Sequence, residues 1–204
     1  MRTDAVPARR VIRARDCRVM PWKNGLGTTT EIAVEPEDAG LSAFTWRISI
    51  ADLTTSGPFS TFAGYDRILV QIAGEPMTLT HEGSSDHRLA LLEPHRFAGE
   101  LATIGTIVSP ARDFNVMVRR ERARADLVVH RLGDEESVSW SATGETRVVF
   151  VLDGSLLIHG YQSTEDIELR AGETLVTTEI SSLGITAGGG GATAFFISIS
   201  AVPS

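Results

Sequence analysis

Cysteine is almost missing. Cys17 is the only one in 204 residues, which excludes an intrachain disulfide and a cysteine-built zinc site. Long apolar runs are missing too: none approaches the roughly 18 residues of a membrane-spanning helix. The opening MRTDAVPARRVIRARD is charged and lacks the apolar stretch of a secretory signal, so the expected location is the cytoplasm, away from membranes. A basic excess is also lacking. The net charge of −7 argues against a nucleic-acid partner, and Arg9, Arg10, Arg13, Arg15 and Arg18, like Arg119, Arg120, Arg122 and Arg124, read as solvated surface. Among nineteen basic residues Lys23 is the only lysine.

Catalytic signatures are absent as well. There is no Gly-x-Ser-x-Gly, no phosphate loop and no His-Glu-x-x-His. No His-x-His pair with a following Glu occurs. His81, His87 and His95 follow no period that places them on one face, so they read as exposed hairpin-loop histidines and no metal or other cofactor is expected. His130 and His159 read as surface positions. Gly188–Gly191 lacks phosphate-loop spacing and reads as a flexible hairpin. Cys17 reads as a bystander.

What is present is strand. FTWRISI at 44–50 alternates Phe44, Trp46, Ile48 and Ile50 against Thr45, Arg47 and Ser49. Short apolar runs recur at 68–73, 77–80, 114–118, 127–130, 147–152, 156–159, 174–178 and 193–200, separated by Gly, Pro, Asp and Ser. No stretch of twelve residues carries a helical period. The expected fold class is all-β.

There is an internal repeat. Shifted by 80 residues, Arg67-Ile-Leu-Val-Gln-Ile-Ala-Gly74 overlays Arg147-Val-Val-Phe-Val-Leu-Asp-Gly154. A second strand follows in each copy, then Leu92–Phe97 in one and Leu169–Thr174 in the other. This order resembles a pair of cupin-like antiparallel β-barrels in tandem. The expected division is 1–125, a first barrel with the N-terminal segment, and 126–204, a second barrel. Gly74 and Gly154 are expected in equivalent turns.

Polar chemistry concentrates in three places. Pro21-Trp-Lys-Asn-Gly-Leu-Gly-Thr-Thr-Thr-Glu-Ile32 packs Lys23, Asn24, Thr29 and Glu31 into a glycine-punctuated turn entering a strand. Arg47 and Ser49 lie opposite an apolar face, with Asp52 after them. Asp113, Asn115 and Met117 alternate with Phe114, Val116 and Val118. Such faces either look to water or line a lumen that holds one ligand; alternation alone leaves both open.

Pro21–Gly25 with Gly27-Thr-Thr and Glu31-Ile, Trp46–Asp52, Gly57–Ser60 with Phe62 and Gly64–Arg67, Phe97–Glu100 and Arg112–Met117 together resemble the HutD/Ves family. Leu26 stands where that family usually has a glycine, and Thr30 where an arginine is common. The resemblance implies a cytosolic two-cupin protein without the metal-ligand set. It also implies a regulatory role in bacterial histidine utilisation, through a small anionic intermediate such as urocanate or formylglutamate.

The leading expectation is therefore a small-molecule-binding protein. Lys23 and Arg47 would pair with ligand carboxylates, Asn24 and Asn115 would read an amide-like group, and Glu31 or Asp113 would accept an N–H. Thr29 and Ser49 share those faces. The second expectation is a metal-free isomerase or hydrolase on a small carboxylate, with Glu31 or Asp113 as general base and Lys23 as electrostatic stabiliser. The third is an interaction protein without a lumen. No residue carries a catalytic signature, and a homodimer is left open.

Overall fold

The computed structural model describes residues 9–22, 25, 27–40, 43–141, 146–159, 165–178 and 182–203. After β1 (Arg9–Ile12) comes a short 3-10 turn, Ala14–Asp16, and then β2 (Arg18–Pro21), β3 (Gly27–Glu35) and β4 (Trp46–Leu53). β5 (Gly57–Pro58), β6 (Tyr65–Ala73), β7 (Met77–His81), β8 (His87–Leu89), β9 (Pro94–Ala98), β10 (Thr103–Thr106) and β11 (Ala111–Arg119) follow. The remaining strands are β12 (Ala123–Leu132), β13 (Ser137–Trp140), β14 (Thr146–Ile158), β15 (Ile167–Arg170), β16 (Thr174–Thr177) and β17 (Leu183–Ala201). The fold is all-β and its sheet pairings are antiparallel, as the period-two patterns predict.

Two compact units divide between Ala125 and Asp126. In the first, residues 17–125, a six-stranded sheet runs β2-β3-β4-β11-β6-β9 and a four-stranded sheet runs β5-β10-β7-β8. They pack face to face through Ala51, Leu53 and Leu69 of the larger sheet and Met77, Leu79 and Leu89 of the smaller. Hydrogen bonding joins two sheets here rather than one closed ring, so the unit is barrel-like among the described residues. One end is closed by Val34, Phe44, Tyr65 and Met117, where the Tyr65 hydroxyl donates to the Phe44 carbonyl at 2.9 Å.

The second unit is a seven-stranded sheet, β1-β16-β14-β17-β12, with β15 on β14 and β13 on β17. The N-terminal segment, expected with the first barrel, contributes β1 to this unit: Arg9–Ile12 pairs with Thr177–Thr174. The physical reason is apolar. Val11 packs against the core of the second unit, and β1 covers an otherwise open strand edge of β16.

The repeat is written into the hydrogen-bond register. In the first unit Gln71 faces Asp113 and Ala73 faces Arg112, with Ile72 bulged between them. In the second, Val151 faces Ala194 and Asp153 faces Thr193, with Leu152 bulged. Gly74 (φ +93) and Gly154 (φ +77) close these corners. A Cβ on Gly74 would lie 2.6 Å from the Pro110 carbonyl oxygen, and one on Gly154 would collide with the Gly191 carbonyl, so glycine is required at both.

Two details depart from expectation. The counterpart of Leu169 is Leu89, since both are fully buried and sit 80 residues apart on β15 and β8. Leu92 (φ +64) instead occupies the left-handed turn that Gly172 (φ +81) occupies in the second unit. Gly188–Gly191 is no hairpin. It lies inside β17 where the pairing register with β14 shifts, and a Cβ on Gly191 would stand 2.5 Å from the Leu132 carbonyl oxygen. Gly191 serves close backbone approach rather than flexibility.

Candidate functional site: the polar interior of the first unit

Strand register puts the polar residues of four strands on one face. Arg47 on β4 lies opposite Met117 on β11, which lies opposite Arg67 on β6. The next row is Glu31, Ser49, Asn115 and Leu69, and the row after it is Ala51, Asp113 and Gln71. Ala51 and Leu69 of these rows pack on the smaller sheet, so this face is the inside of the unit. Alternation had left water and lumen both open, and burial decides it: Arg47, Ser49, Arg67, Gln71, Asp113 and Asn115 are all buried.

Some of these groups are fully engaged. Arg47 Nε donates to Glu31 Oε2 at 2.7 Å. Gln71 Nε2 donates to the carbonyls of Ala73 and Glu75 at 3.2 and 2.6 Å, and its Oε1 accepts from the Met77 amide at 2.8 Å. It therefore braces the β6–β7 corner. Thr29 Oγ1 accepts from Trp22 Nε1 at 2.7 Å and fixes the Trp22 ring beside the core. Lys23, Asn24 and Leu26 of the same turn lie outside the described residues.

Others are not engaged. Asp113 is 0% exposed, and among the described residues neither of its oxygens has a hydrogen-bond partner. The same holds for Asn115 Oδ1 and Arg67 Nε. Arg67, 4% exposed, has its guanidinium 5.0 Å from the Phe97 ring and 5.4 Å from Phe59, with one long donation, 3.3 Å, to the Ser60 carbonyl. Burying a charge without partners costs several kcal/mol, of order. A site that retains such groups is tuned for something other than stability.

The electrostatics follow from burial. Removal from water pushes the Asp113 carboxyl up to about 7, with Arg67 pulling the other way and Asp52 adding to the rise. Burial also pushes the Arg67 guanidinium down to about 10, Arg47 adding to the drop and Asp113 opposing it. Arg67 is still a cation at neutral pH. Asp113 is poised to exchange a proton there.

The histidines are corrected by the structure. His81 is only 6% exposed and clusters with half-buried His87 and His95, where exposed loop positions were expected. The residues come from β7, β8 and β9, so their sequence spacing carries no information about a shared face. Thr103 Oγ1 donates to the Leu101 carbonyl at 3.0 Å and therefore accepts from His81 Nδ1 at 2.8 Å. Burial disfavours the charged form of both rings, and with both neutral His81 Nε2 is the acceptor for His95 Nε2–H at 2.9 Å. His87 stacks on His95 with ring centroids 3.9 Å apart. Among the described residues no group of three His, Cys, Asp or Glu is arranged to hold a metal ion.

Burial first, then His87 and His81, hold His95 down at about 4. The neutral form is the one that folds, so this ring's contribution to stability is complete above about 6.5, the ordinary histidine value, and is lost as pH falls toward 4. Asp113 has the opposite sign: its contribution grows as pH falls from about 7. Melting temperatures from pH 7 to pH 4 should separate the two. His95→Leu is expected to lose less stability on acidification than the parent protein, and an unchanged slope would contradict this account of the cluster.

Sequence reasoning missed Arg67, His81 and His95. Arg67 had a signal: it alternates in step with Leu69 and Gln71 and recurs as Arg147 in the repeat. A cleft of about 320 Å³ shares Arg67 and Phe97 with this interior and adds Asp66, Arg96 and Arg124.

These features define a cupin-like β protein whose first unit keeps buried polar groups without hydrogen-bond partners among the described residues. A cupin 2 conserved barrel domain protein from Leptotrichia buccalis shares the fold, with a TM-score of 0.58 at 12% identity over 88% of this chain and 92% of that one. The chain belongs to the HutD family, whose model matches residues 14–195. HutD from Pseudomonas fluorescens SBW25, in a formate condition, is similar at 33% identity with a TM-score of 0.80, covering 96% of this chain and 100% of that one. An uncharacterised 21.2 kDa protein from the hutC 3′ region of Pseudomonas putida is 42% identical over 118 residues, 57% of this chain. That match spans 62% of the relative's own length. Protein Ves of Cronobacter sakazakii is 34% identical over 145 residues, 69% of this chain and 76% of the relative. The family is thereby linked to a histidine-utilisation gene region.

Proposed function

We propose that this HutD-family protein binds a small carboxylate metabolite in the interior of its first unit and serves as a regulatory sensor in histidine utilisation. The observation that carries the reading is the Arg67 guanidinium, fully buried, with Nε unpartnered among the described residues and with unpartnered oxygens of Asp113 and Asn115 nearby. A buried cation without a hydrogen-bonded counter-ion is a receptor for an anion. Arg47 is less available because Glu31 already occupies it. A condition containing formate, the smallest carboxylate, for the Pseudomonas fluorescens relative is consistent with this chemistry. Urocanate and formylglutamate each combine a carboxylate with an N–H group that Asn115 Oδ1 could accept. The protein would act in the cytoplasm without metal, nucleic acid or membrane.

Calorimetric titration of the full chain with urocanate, formylglutamate and formiminoglutamate tests the proposal. Saturable heat with one stoichiometric site is expected for at least one of them. No heat from any would overturn it. A carboxyl titrating near 7 would equally suit a general base, so the same mixtures should be analysed for product; unchanged ligand is the outcome expected of a binding protein.

A further inference from the structure

We propose that carboxylate binding in this interior is proton-coupled: Asp113 enters the complex as the neutral acid and donates its O–H to the bound carboxylate, so each anion is taken up with one proton. The inference rests on the carboxylate-binding reading and adds the chemistry of the exchange.

The argument begins with a charge count. The interior holds two guanidiniums, Arg47 and Arg67, and two carboxyl groups, Glu31 and Asp113. With all four ionised the interior is neutral, and an arriving anion would leave a net buried negative charge. Such a charge is costly in a low-dielectric site. With Asp113 protonated the interior is singly positive, and the anion brings it to neutrality. A carboxylate arriving beside Asp113 cannot comfortably share the site with a second ionised carboxyl, and Glu31 is already ion-paired with Arg47 at 2.7 Å. Asp113 is therefore the group that takes the proton.

Hydrogen-bond valences lead to the same place. Asp113 lies opposite Gln71 on β6, four positions from Arg67, with Asn115 between them along β11. Each acts electrostatically on the other, yet no hydrogen bond or ion pair joins them. Arg67 Nε–H needs an acceptor, and a protonated Asp113 needs one too. A carboxylate bound between them would offer an acceptor to each. Of the other polar side chains in that row, Gln71 is spent on the β6–β7 corner and Thr29, opposite Ala51, accepts from Trp22 Nε1.

The surrounding groups do not replace this role. From β4 and β3, Arg47 and Glu31 face the site already paired. From β7 and β9, His81 and His95 are locked as a neutral pair, and His87 on β8 stacks outside it. Asp52 on β4 acts at a distance and is engaged by Arg112 at 2.6 Å.

The test uses the full chain and sodium formate as the probe. Titrations at pH 6, 7 and 8, each in two buffers of different ionisation enthalpy, read the affinity and the protons taken up. The affinity is expected to fall roughly tenfold from pH 6 to pH 8, with close to one proton taken up per formate at pH 8. Asp113→Asn should bind formate with no pH dependence and no proton uptake. Formate binding by the parent protein that is independent of pH and buffer would overturn the proton coupling alone. No formate binding at any pH would overturn the carboxylate-binding reading beneath it. If Asp113→Asn proves unfolded by thermal melting, the parent protein's buffer series still decides.

Discussion

Arg67→Met is expected to weaken binding of the cognate carboxylate by about 1.5–3 kcal/mol, roughly ten- to more than a hundredfold, as for a hydrogen bond to a charged group. Met is close in length to the arginine stem and suits a site walled by Phe59, Phe62 and Phe97. The substitution removes a buried cation, and Asp113 is then neutral at pH 7. Replacing a poorly compensated buried charge by an apolar side chain is often neutral or stabilising. The melting temperature should therefore stay level or rise while calorimetric binding collapses. Binding at parental affinity would remove Arg67 from the site. A large loss of stability would mean that the guanidinium is structural.

The second large effect belongs to the other unit. Phe196→Ala should cost about 3–5 kcal/mol of stability, the range for emptying a buried aromatic position, read as a fall in the denaturation midpoint. The repeat explains why. In matching register, Val151 and Ala194 stand where the first unit has Gln71 and Asp113. Two positions along, Phe196 stands where the first unit has Asn115. Phe196 is buried among Val149, Leu175 and Ala194, stacks on His130 with ring centroids 4.1 Å apart and meets the tilted Trp140 ring at 5.0 Å. The second unit thus fills with hydrocarbon at the positions where the first keeps Asp113 and Asn115. A loss below about 1 kcal/mol, no more than a typical Ile→Val change in a core, would mean that the position is not a packed core site.

This division shows what a chain read alone can and cannot disclose. Strand content and the repeat were legible because period two and the 80-residue shift are properties of one chain. Which face of Arg47-x-Ser49 or Asp113-x-Asn115 looks inward was not, because alternation is symmetric until a second sheet arrives. Both proved interior, and the four-stranded sheet supplied the reason. Arg67 was legible only as the first residue of the repeat, because its place opposite Met117 on the inner face depends on the pairing of β6 with β11. The histidines were misread for a topological reason, since β7, β8 and β9 bring His81, His87 and His95 together through pairing that no spacing rule encodes. Gly188–Gly191 resembled a loop because glycine marks both mobile turns and tight backbone crossings. The contact with Leu132 distinguishes them.

The crystal structure of the protein grown with formylglutamate tests the central claim most directly. The account predicts a ligand carboxylate inside the first unit, one oxygen accepting from Arg67 Nε and the other within hydrogen-bond distance of Asp113. A ligand seated anywhere else, with Arg67 and Asp113 still without contact to it, would contradict the account.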